Sequence, residues 1–452
     1  MTPVTIEQAA AQVRAGQVAS TELVRRSIEL ADEHDATLGV FLSRFDESAL
    51  AAAAEADAAV VEGKPLGPLH GVPIGIKDLL ATREGPTTAQ SLAWDSGWGA
   101  EDATAVARLR AAGAVIVGKT TTLEFAYGTP ATDDPFPMPA NPWDPRRWAG
   151  GSSSGSGSGV AAGMMLAALG TDTAGSVRAP AAMCGITGLK PTYGAVPMAG
   201  CIPLAFSADH IGPMAHTAKG CSILLEVLTG RPLDRFATDG LTGVRIGVDR
   251  LDRITEGTGE AGVSGVFDDA LKTLAGLGAE ITDVELPLYP ELTDTVFIST
   301  GVERLAYHAP RLAKNWSKYG RSARAGMLRG AYYSAADYVQ AQRVRRHGQH
   351  LLARLFDDVD VIVTPTASVA APLLTEIEDC MAGWKRLVHT TYWNAVGNPV
   401  LSVPMGFNAD SLPLGLQIAG RPREDATVLH VGEAFQQATA WHLRQPGSKE
   451  SS

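Results

Sequence analysis

The chain has 452 residues, of which 45% are hydrophobic and 19% charged, with 48 Gly and 27 Pro. This is the balance of a globular protein, and it excludes a disordered chain or a coiled coil. The net charge of −11 argues against non-specific binding of nucleic acid, which depends on an excess of Lys and Arg.

The predicted elements of the first third alternate between helices and strands. In chain order they are helix 20–32, helix 47–61 with Asp46 as its cap, strand 71–78, helix 102–112 and strand 114–117. A Pro-rich, irregular segment is predicted over 129–149. It is followed by five Gly and five Ser at 150–159, and then by an apolar segment at 160–169.

The C-terminal half continues the alternation. Strands are predicted at 244–248, 281–286, 359–363, 400–403 and 414–418, and helices at 264–276, 335–356 and 424–440. Strands that alternate with helices indicate an α/β fold with an at least partly parallel sheet.

The cysteines and apolar runs indicate the compartment. The spacings of Cys184, Cys201, Cys221 and Cys380 match no zinc or redox pattern, and so few cysteines in a long chain favour a reducing environment. No signal peptide is visible, and the longest apolar run, 160–170, is shorter than the ~20 residues that span a bilayer. We therefore expect a cytoplasmic protein without a membrane partner.

Two short motif strings occur without the structural context that they need. Residues 113–120 fit the phosphate-binding string G-x-x-x-x-G-K-[ST], but the middle residues Ala-Val-Ile-Val favour a strand and not a loop. Residues 151–155 fit the nucleophile-elbow string G-x-S-x-G. The residues before them resemble turns, and nothing nearby orients His210, His216 or His389 as a base.

The Gly/Ser run at 150–159 has two interpretations. It could be a flexible linker, but it passes without a polar break into the apolar segment and is soon followed by another unusual segment at 170–178. Dense small residues also allow a backbone to approach another chain or a substrate closely. Lys77 ends an apolar strand, where burial would lower its pKa toward a neutral base, unless it simply pairs with Asp78.

Several long motifs occur in order in this chain, at 67–78, 150–156, 170–181, 184–192, 398–404 and 412–418. On these motifs the chain resembles the amidase signature family from about residue 5 to 440. It departs from the family pattern at Ser154, Gly157 and Ala174, and in the Pro-rich segment 129–139.

The resemblance implies a large, mixed, mostly parallel sheet with helices on both faces. It also implies a single amidase domain over 1–442, with a signature core at 65–220, a variable substrate-pocket region at 290–395 and a flexible tail at 443–452.

The site implied by the resemblance is a Ser–Ser–Lys triad with no metal or organic cofactor. Ser176 would be the nucleophile, Lys77 the base, and Ser152 the bridging serine that the family holds in a cis peptide. The backbone amides of Thr173, Ala174, Gly175 and Ser176 would form the oxyanion hole. Three further side chains would brace the loop: Ser153, Asp172 and Arg178.

The resemblance implies an amidohydrolase that cleaves the C–N bond of a small amide through an acyl-enzyme, as a monomer or homodimer. The aromatic residues of 300–393 favour aryl or apolar amides, anilides or carbamates (urethanes), and esters stay open. One alternative is the glutamine-hydrolysing component of a tRNA-dependent amidotransferase, which needs partner proteins. Another is a catalytically inactive binding protein.

Overall fold

The computed structural model describes residues 3–95, 97–130, 135–234, 240–377, 383–384 and 386–447. Three features of the sequence analysis lie outside these residues: Cys380, residues 131–134 of the Pro-rich segment, and residues 448–452 of the predicted tail.

The secondary structure alternates between helices and strands along most of the described chain. The strands are β1 (Phe41–Arg44), β2 (Pro73–Lys77), β3 (Val115–Thr120), β4 (Ala140–Asn141), β5 (Asp144–Trp148), β6 (Ala167–Asp172), β7 (Thr187–Lys190), β8 (His210–Ala215), β9 (Arg245–Val248), β10 (Glu280–Asp283), β11 (Val361–Pro365), β12 (Val400–Phe407) and β13 (Pro413–Gly420). The helices are α1 (Ile6–Arg14), α2 (Ser20–Leu38), α3 (Asp46–Val61), α4 (Thr104–Ala111), α5 (Ser154–Ala161), α6 (Arg178–Cys184), α7 (Ala218–Thr229), α8 (Asp252–Thr255), α9 (Val263–Gly276), α10 (Tyr289–Asn315), α11 (Arg321–Gly330), α12 (Ala335–Asp358), α13 (Tyr392–Val396) and α14 (Asp425–Thr439).

Within the described residues, eleven strands form one sheet in the order β1-β3-β2-β6-β8-β7-β12-β13-β11-β9-β10, and β4 pairs with β5 separately. The predicted large, mixed sheet is confirmed. Its parallel pairs are fewer than expected: β3–β2, β2–β6, β11–β9 and β9–β10 are parallel, and the other six neighbour pairs are antiparallel. The reason is the middle of the sheet, where β12 and β13 form a hairpin and no crossover helix separates β7 from β8.

Helices cover both faces of the sheet, as predicted. Successive residues of a strand point to opposite faces, and β3 shows this clearly. Val115 and Val117 pack in the cluster that contains α2, α3 and α5, whereas Ile116 packs in the larger cluster that contains α4, α7 and α14. A strand buried on both faces must be apolar on both, and this explains the unbroken Ala-Val-Ile-Val run of the phosphate-loop string.

The Gly/Ser run is a structured part of the core and not a linker. Residues 154–161 form α5, and Gly155 lies so close to the chain that an added Cβ would meet the Val40 carbonyl oxygen at 2.3 Å. The same atom on Gly159 would meet Met165 Cε at 2.6 Å. The run is rich in small residues because α5 packs directly against its neighbours.

Two expectations about local structure are wrong, and two helices were missed. The segment 129–149, expected to be irregular, contains the hairpin of β4 and β5. Asp46 is the first residue of α3, and Phe45 takes the cap position. The long helix α10 and its neighbour α11 were not predicted at all. Among the described residues, no helix combines the length and the apolar character needed to cross a membrane.

Candidate active site

Lys77 lies fully buried at the carboxyl end of β2 and is surrounded by hydroxyl groups. Its Nζ is 2.8 Å from Ser152 Oγ, 3.0 Å from Ser153 Oγ and 2.8 Å from Thr171 Oγ1. Burial lowers the pKa of Lys77 to about 7, although the carboxylates of Asp172 and Asp209 partly oppose the shift. A lysine with this pKa is substantially neutral near pH 7 and can act as a base.

The carboxylate next to Lys77 in the sequence has a different partner. Asp78 pairs with Lys119, whose Nζ lies 2.8 Å from Asp78 Oδ1, and both side chains are buried. The interpretation of Lys77 as a simple ion-pair partner of Asp78 is therefore wrong.

The segment between β5 and α5 brings the two candidate serines to one place. The Gly151–Ser152 peptide is cis, and Ser152 is buried beside Lys77. The next amide, that of Ser153, donates to the carbonyl oxygen of Ser176 at 3.1 Å. This hydrogen bond ties the segment that carries Ser152 to the loop that carries Ser176.

A buried ion pair braces the loop after β6. Arg178 donates to both oxygens of Asp172, from Nε at 3.0 Å and from Nη2 at 2.9 Å, and both side chains are fully buried. Asn394 Nδ2 adds a further hydrogen bond to Asp172 Oδ1 at 2.8 Å. The guanidinium and these donors hold the pKa of the Asp172 carboxyl well below its usual range, even though burial opposes them.

The peptide that joins Ala174 to Gly175 is fixed from both sides. Thr390 and Thr391 donate their hydroxyls to the Ala174 carbonyl oxygen, at 2.8 and 3.1 Å. On the opposite side the Gly175 amide donates to Asp172 Oδ1 at 2.8 Å. Gly175 has a φ of +122°, and an added Cβ would lie 1.9 Å from Thr390 Oγ1, so only glycine fits here.

A cavity of about 770 Å³ opens onto these residues. The predicted catalytic and oxyanion residues that line it are Ser152, Thr173, Ala174, Gly175 and Ser176. Lys77 lies behind Ser152, and Ser153, Asp172 and Arg178 lie behind the loop, outside the cavity wall. The arrangement presents hydroxyl and amide groups to a small molecule and keeps the charged groups that support them in the interior.

Residues 22–429 of the chain match the family model for Amidase. The chain is 38% identical to the A subunit of glutamyl-tRNA(Gln) amidotransferase from Chloroflexus aurantiacus, over 98% of each chain. It is 36% identical to the putative amidase AmiD of Mycobacterium bovis, over 96% of this chain and 94% of that protein. A crystal structure of an amidase superposes with a TM-score of 0.87 at 30% identity, covering 96% of this chain and 99% of the other.

The chain belongs to the amidase signature family. It is an amide-hydrolysing enzyme, and the sequence-based prediction of both points is confirmed. Among the described residues of this amidase, no group of three or more His, Cys, Asp or Glu side chains is placed to hold a metal ion.

The rest of the cavity wall comes from parts of the amidase that sequence reasoning only partly identified. Among the aromatic residues of 300–393, from which an apolar pocket was predicted, Tyr333 and Trp384 line the cavity, whereas Tyr392 and Trp393 are core residues. Several lining residues were missed because α10 and the hairpin were not predicted. They are Trp148, Phe297, Thr300 and Arg304. Tyr127, which lies on neither element, was missed as well.

Lys190 is another buried lysine of this amidase, and its pKa is lowered to a similar value. Burial and the nearby Arg178 guanidinium lower the pKa of Lys190 to about 7. Its Nζ donates to the Pro191 carbonyl oxygen at 3.2 Å and lies 3.3 Å from His210 Nε2. Lys190 does not reach the cavity wall, so a lowered pKa alone does not identify the base in this protein.

Proposed function

We propose that this enzyme hydrolyses linear amides with Ser176 as nucleophile, Ser152 as proton bridge and Lys77 as base. The observation that carries the proposal is the contact of the buried Lys77 amine with Ser152, on the wall of the cavity that Ser176 also lines. A serine hydroxyl is a weak nucleophile and needs such an adjacent base.

The hydrogen bonds around Lys77 fit a neutral amine. Ser153 has one hydroxyl proton, and it donates this proton to the Thr171 carbonyl oxygen at 3.2 Å. Its oxygen can therefore only accept from Lys77. A second N–H of the neutral amine can donate to Thr171 Oγ1, and the nitrogen lone pair is then left for the hydroxyl proton of Ser152. This leaves the Ser152 oxygen able to accept the proton of the nucleophile.

The reaction then balances within these three side chains. Ser176 Oγ forms a bond to the amide carbon while its proton passes to Ser152 Oγ, and the proton of Ser152 passes to Lys77 Nζ. The carbonyl π electrons move to the oxygen. The C–N bond breaks when the oxyanion electrons re-form the carbonyl group. Ser152 then gives a proton to the leaving nitrogen, which departs as the neutral amine, and Lys77 returns its proton to Ser152. Water repeats the sequence on the acyl-enzyme and releases the acid.

The negatively charged oxygen needs amide donors that the loop after β6 can supply. Because the Gly175 amide already donates to Asp172, we assign the role to the amides of Thr173, Ala174 and Ser176. Asp172, Arg178 and Ser153 hold the loop in place and do not take part in the chemistry.

The apolar walls of the cavity support aryl or apolar amides, anilides or carbamates as substrates. Rings of Tyr127, Trp148, Phe297, Tyr333 and Trp384 contribute to these walls. A panel of aryl, alkyl and primary amides, carbamates and esters tests this assignment. Hydrolysis confined to small polar aliphatic amides would contradict it.

The second candidate function is glutamine hydrolysis within an amidotransferase complex, which the 38% identity to the Chloroflexus protein favours. Free glutamine carries an ammonium group, which needs a carboxylate partner in a buried site. The described residues that line the cavity include two arginines and no Asp or Glu. This favours a free-standing amidase. That the enzyme acts as a monomer or homodimer and lies in the cytoplasm stays a prediction. Glutaminase activity that depends on co-purified partner proteins would reverse the choice.

The triad is tested by substitution. We expect Ser176→Ala and Lys77→Ala each to abolish hydrolysis without unfolding the protein, and a fluorophosphonate to label wild type but not Ser176→Ala. The matched controls are Ser48→Ala and Lys219→Ala, which lie outside the cavity wall and should keep full activity. Full activity in either triad variant would disprove the assignment. Labelling of the wild type by the fluorophosphonate would exclude a catalytically inactive binding protein.

A further inference from the structure

Helix α10 presents two polar side chains to the cavity. Thr300 and Arg304 are four residues apart, so they lie on the same face of the helix one turn from each other. Both line the cavity, and both are largely buried, with exposures of 7% and 2%. Polar side chains that are buried this deeply need partners.

The contacts of Arg304 leave part of its guanidinium unused. Its Nη2 donates to the carbonyl oxygen of Gly326, and its Cζ lies 3.5 Å above the centre of the Tyr127 ring. Among the described residues, neither Nε nor Nη1 has a hydrogen-bond partner, and the same is true of Thr300 Oγ1. Three polar atoms of these two cavity-lining residues therefore lack a hydrogen-bond partner within the described chain.

The charged side chains among the described lining residues are both arginines. Arg329 also lines the cavity, and the described lining residues include no Asp or Glu. Burial lowers the pKa of Arg304, with Arg329 adding a smaller repulsion, but a guanidinium stays protonated in a protein. A buried charge with no carboxylate partner among the described residues is costly, so an anionic occupant would complete the site.

We propose that the substrate is an amide that also carries a carboxylate, which binds Arg304 and Thr300 while the amide carbonyl lies at Ser176. A carboxylate matches the planar guanidinium and accepts from a hydroxyl at the same time. The apolar walls then surround the remaining aryl or alkyl part. This inference rests on the proposed amidase function and narrows its substrate class.

The carboxylate can belong to either side of the scissile bond, so the test uses two substrate pairs. Succinic acid monoanilide carries it on the acyl side, and 4-acetamidobenzoate carries it on the amine side. The neutral partners are levulinic anilide and 4′-acetylacetanilide, in which a methyl ketone replaces the carboxylate. For each pair the measured quantity is the ratio of kcat/KM values, compared between wild type and Arg304→Met so that intrinsic reactivity cancels.

We expect Arg304→Met to lower this ratio about 10- to 100-fold for at least one pair, because a hydrogen bond to a charged group is lost. The pair that responds identifies the side that carries the carboxylate. Arg304→Lys should recover part of the ratio, and Thr300→Val should lower it only a few-fold. The control Arg346→Met removes an exposed arginine of α12 and should leave the ratio unchanged.

A binding measurement separates this inference from the proposed function. In the Ser176→Ala protein, calorimetry should show at least tenfold tighter binding of the carboxylate member of the responding pair than of its ketone. Adding Arg304→Met should remove the difference. Equal ratios in all variants together with no binding preference would overturn the inference. Amide hydrolysis that depends on Ser176 could still be present in that case, and the proposed function would then stand alone.

Discussion

The lowered pKa of Lys77 predicts how activity depends on pH. Burial moves the pKa from 10.5 to about 7, so about half of the enzyme carries the neutral amine at pH 7. At an ordinary lysine pKa only about one molecule in 3000 would be neutral at that pH. We therefore expect kcat/KM for an amide to rise about tenfold per pH unit below about 7 and to level off above it.

Variants around Lys77 test whether this lysine causes the fall of kcat/KM below pH 7, the acid limb of the pH profile. The Thr171 hydroxyl, 2.8 Å from Nζ, can stabilise the ammonium form. Thr171→Val should therefore move the midpoint of the limb to lower pH. Lys190 has a pKa of about 7 as well and is the competing assignment, so Lys190→Met should leave the midpoint in place. A flat profile between pH 5 and 9, or a limb that disappears with Lys190, would refute the reasoning.

The same shift has a consequence for stability. The unfolded chain binds a proton at Lys77 below about pH 10.5, whereas the folded protein binds it only below about 7. The free energy of unfolding should therefore rise with pH between these values, by an amount on the order of 5 kcal/mol from this residue alone. The Lys77→Met variant lacks this pH-dependent contribution to the free energy of unfolding. Its stability advantage over wild type, measured by urea denaturation, should be largest below pH 7 and shrink toward pH 10.

Three further substitutions test the support of the site. Gly175→Ala should lower kcat at least 100-fold, because its Cβ would displace the amides of the loop, whereas Gly194→Ala, at a φ of +75° but with open space, should keep kcat. Arg178→Met should cost about 3–5 kcal/mol of unfolding free energy in urea, since it leaves the buried Asp172 carboxylate unpaired, and a cost under 1 kcal/mol would contradict the bracing role. Gly326→Ala places a Cβ 2.1 Å from a tyrosine ring in the cavity, so KM should rise several-fold; an unchanged KM would contradict this placement.

The core of the site could be predicted because its chemistry is local in sequence. Lys77 ends a strand whose residues are all apolar before it, and such a strand is buried on both faces. The position of the lysine at the buried end already implies a lowered pKa. The Gly/Ser run, by contrast, has the composition of a linker. Only its contacts with distant residues, such as Gly155 against Val40, show why small residues are needed there.

The part of the cavity wall that α10 and the β4–β5 hairpin form could not be predicted, because tertiary packing there overrides the local secondary-structure preference. Residues 293–300 of α10 read Thr-Asp-Thr-Val-Phe-Ile-Ser-Thr, a run rich in β-branched residues that favours a strand, and the helix also contains Pro310. It is nevertheless helical, because it packs against α11, α12 and α13. The β4–β5 hairpin was missed for a similar reason. Its Pro145 suits an edge strand, but in the sequence it indicates a turn.

The proposed catalytic residues and the cavity wall of α10 and α11 give different information about function. The proposed catalytic part comes from β2, the Gly/Ser run and the loop after β6, which contain the motifs on which the chain resembles the family. Identity of 38% to a component of an amidotransferase and of 36% to a putative amidase does not separate the two activities. The wall formed by α10 and α11 does carry that information, because its charge must match the substrate. A buried arginine on this wall, with two donor atoms that lack a partner among the described residues, favours an amide that carries a negative group.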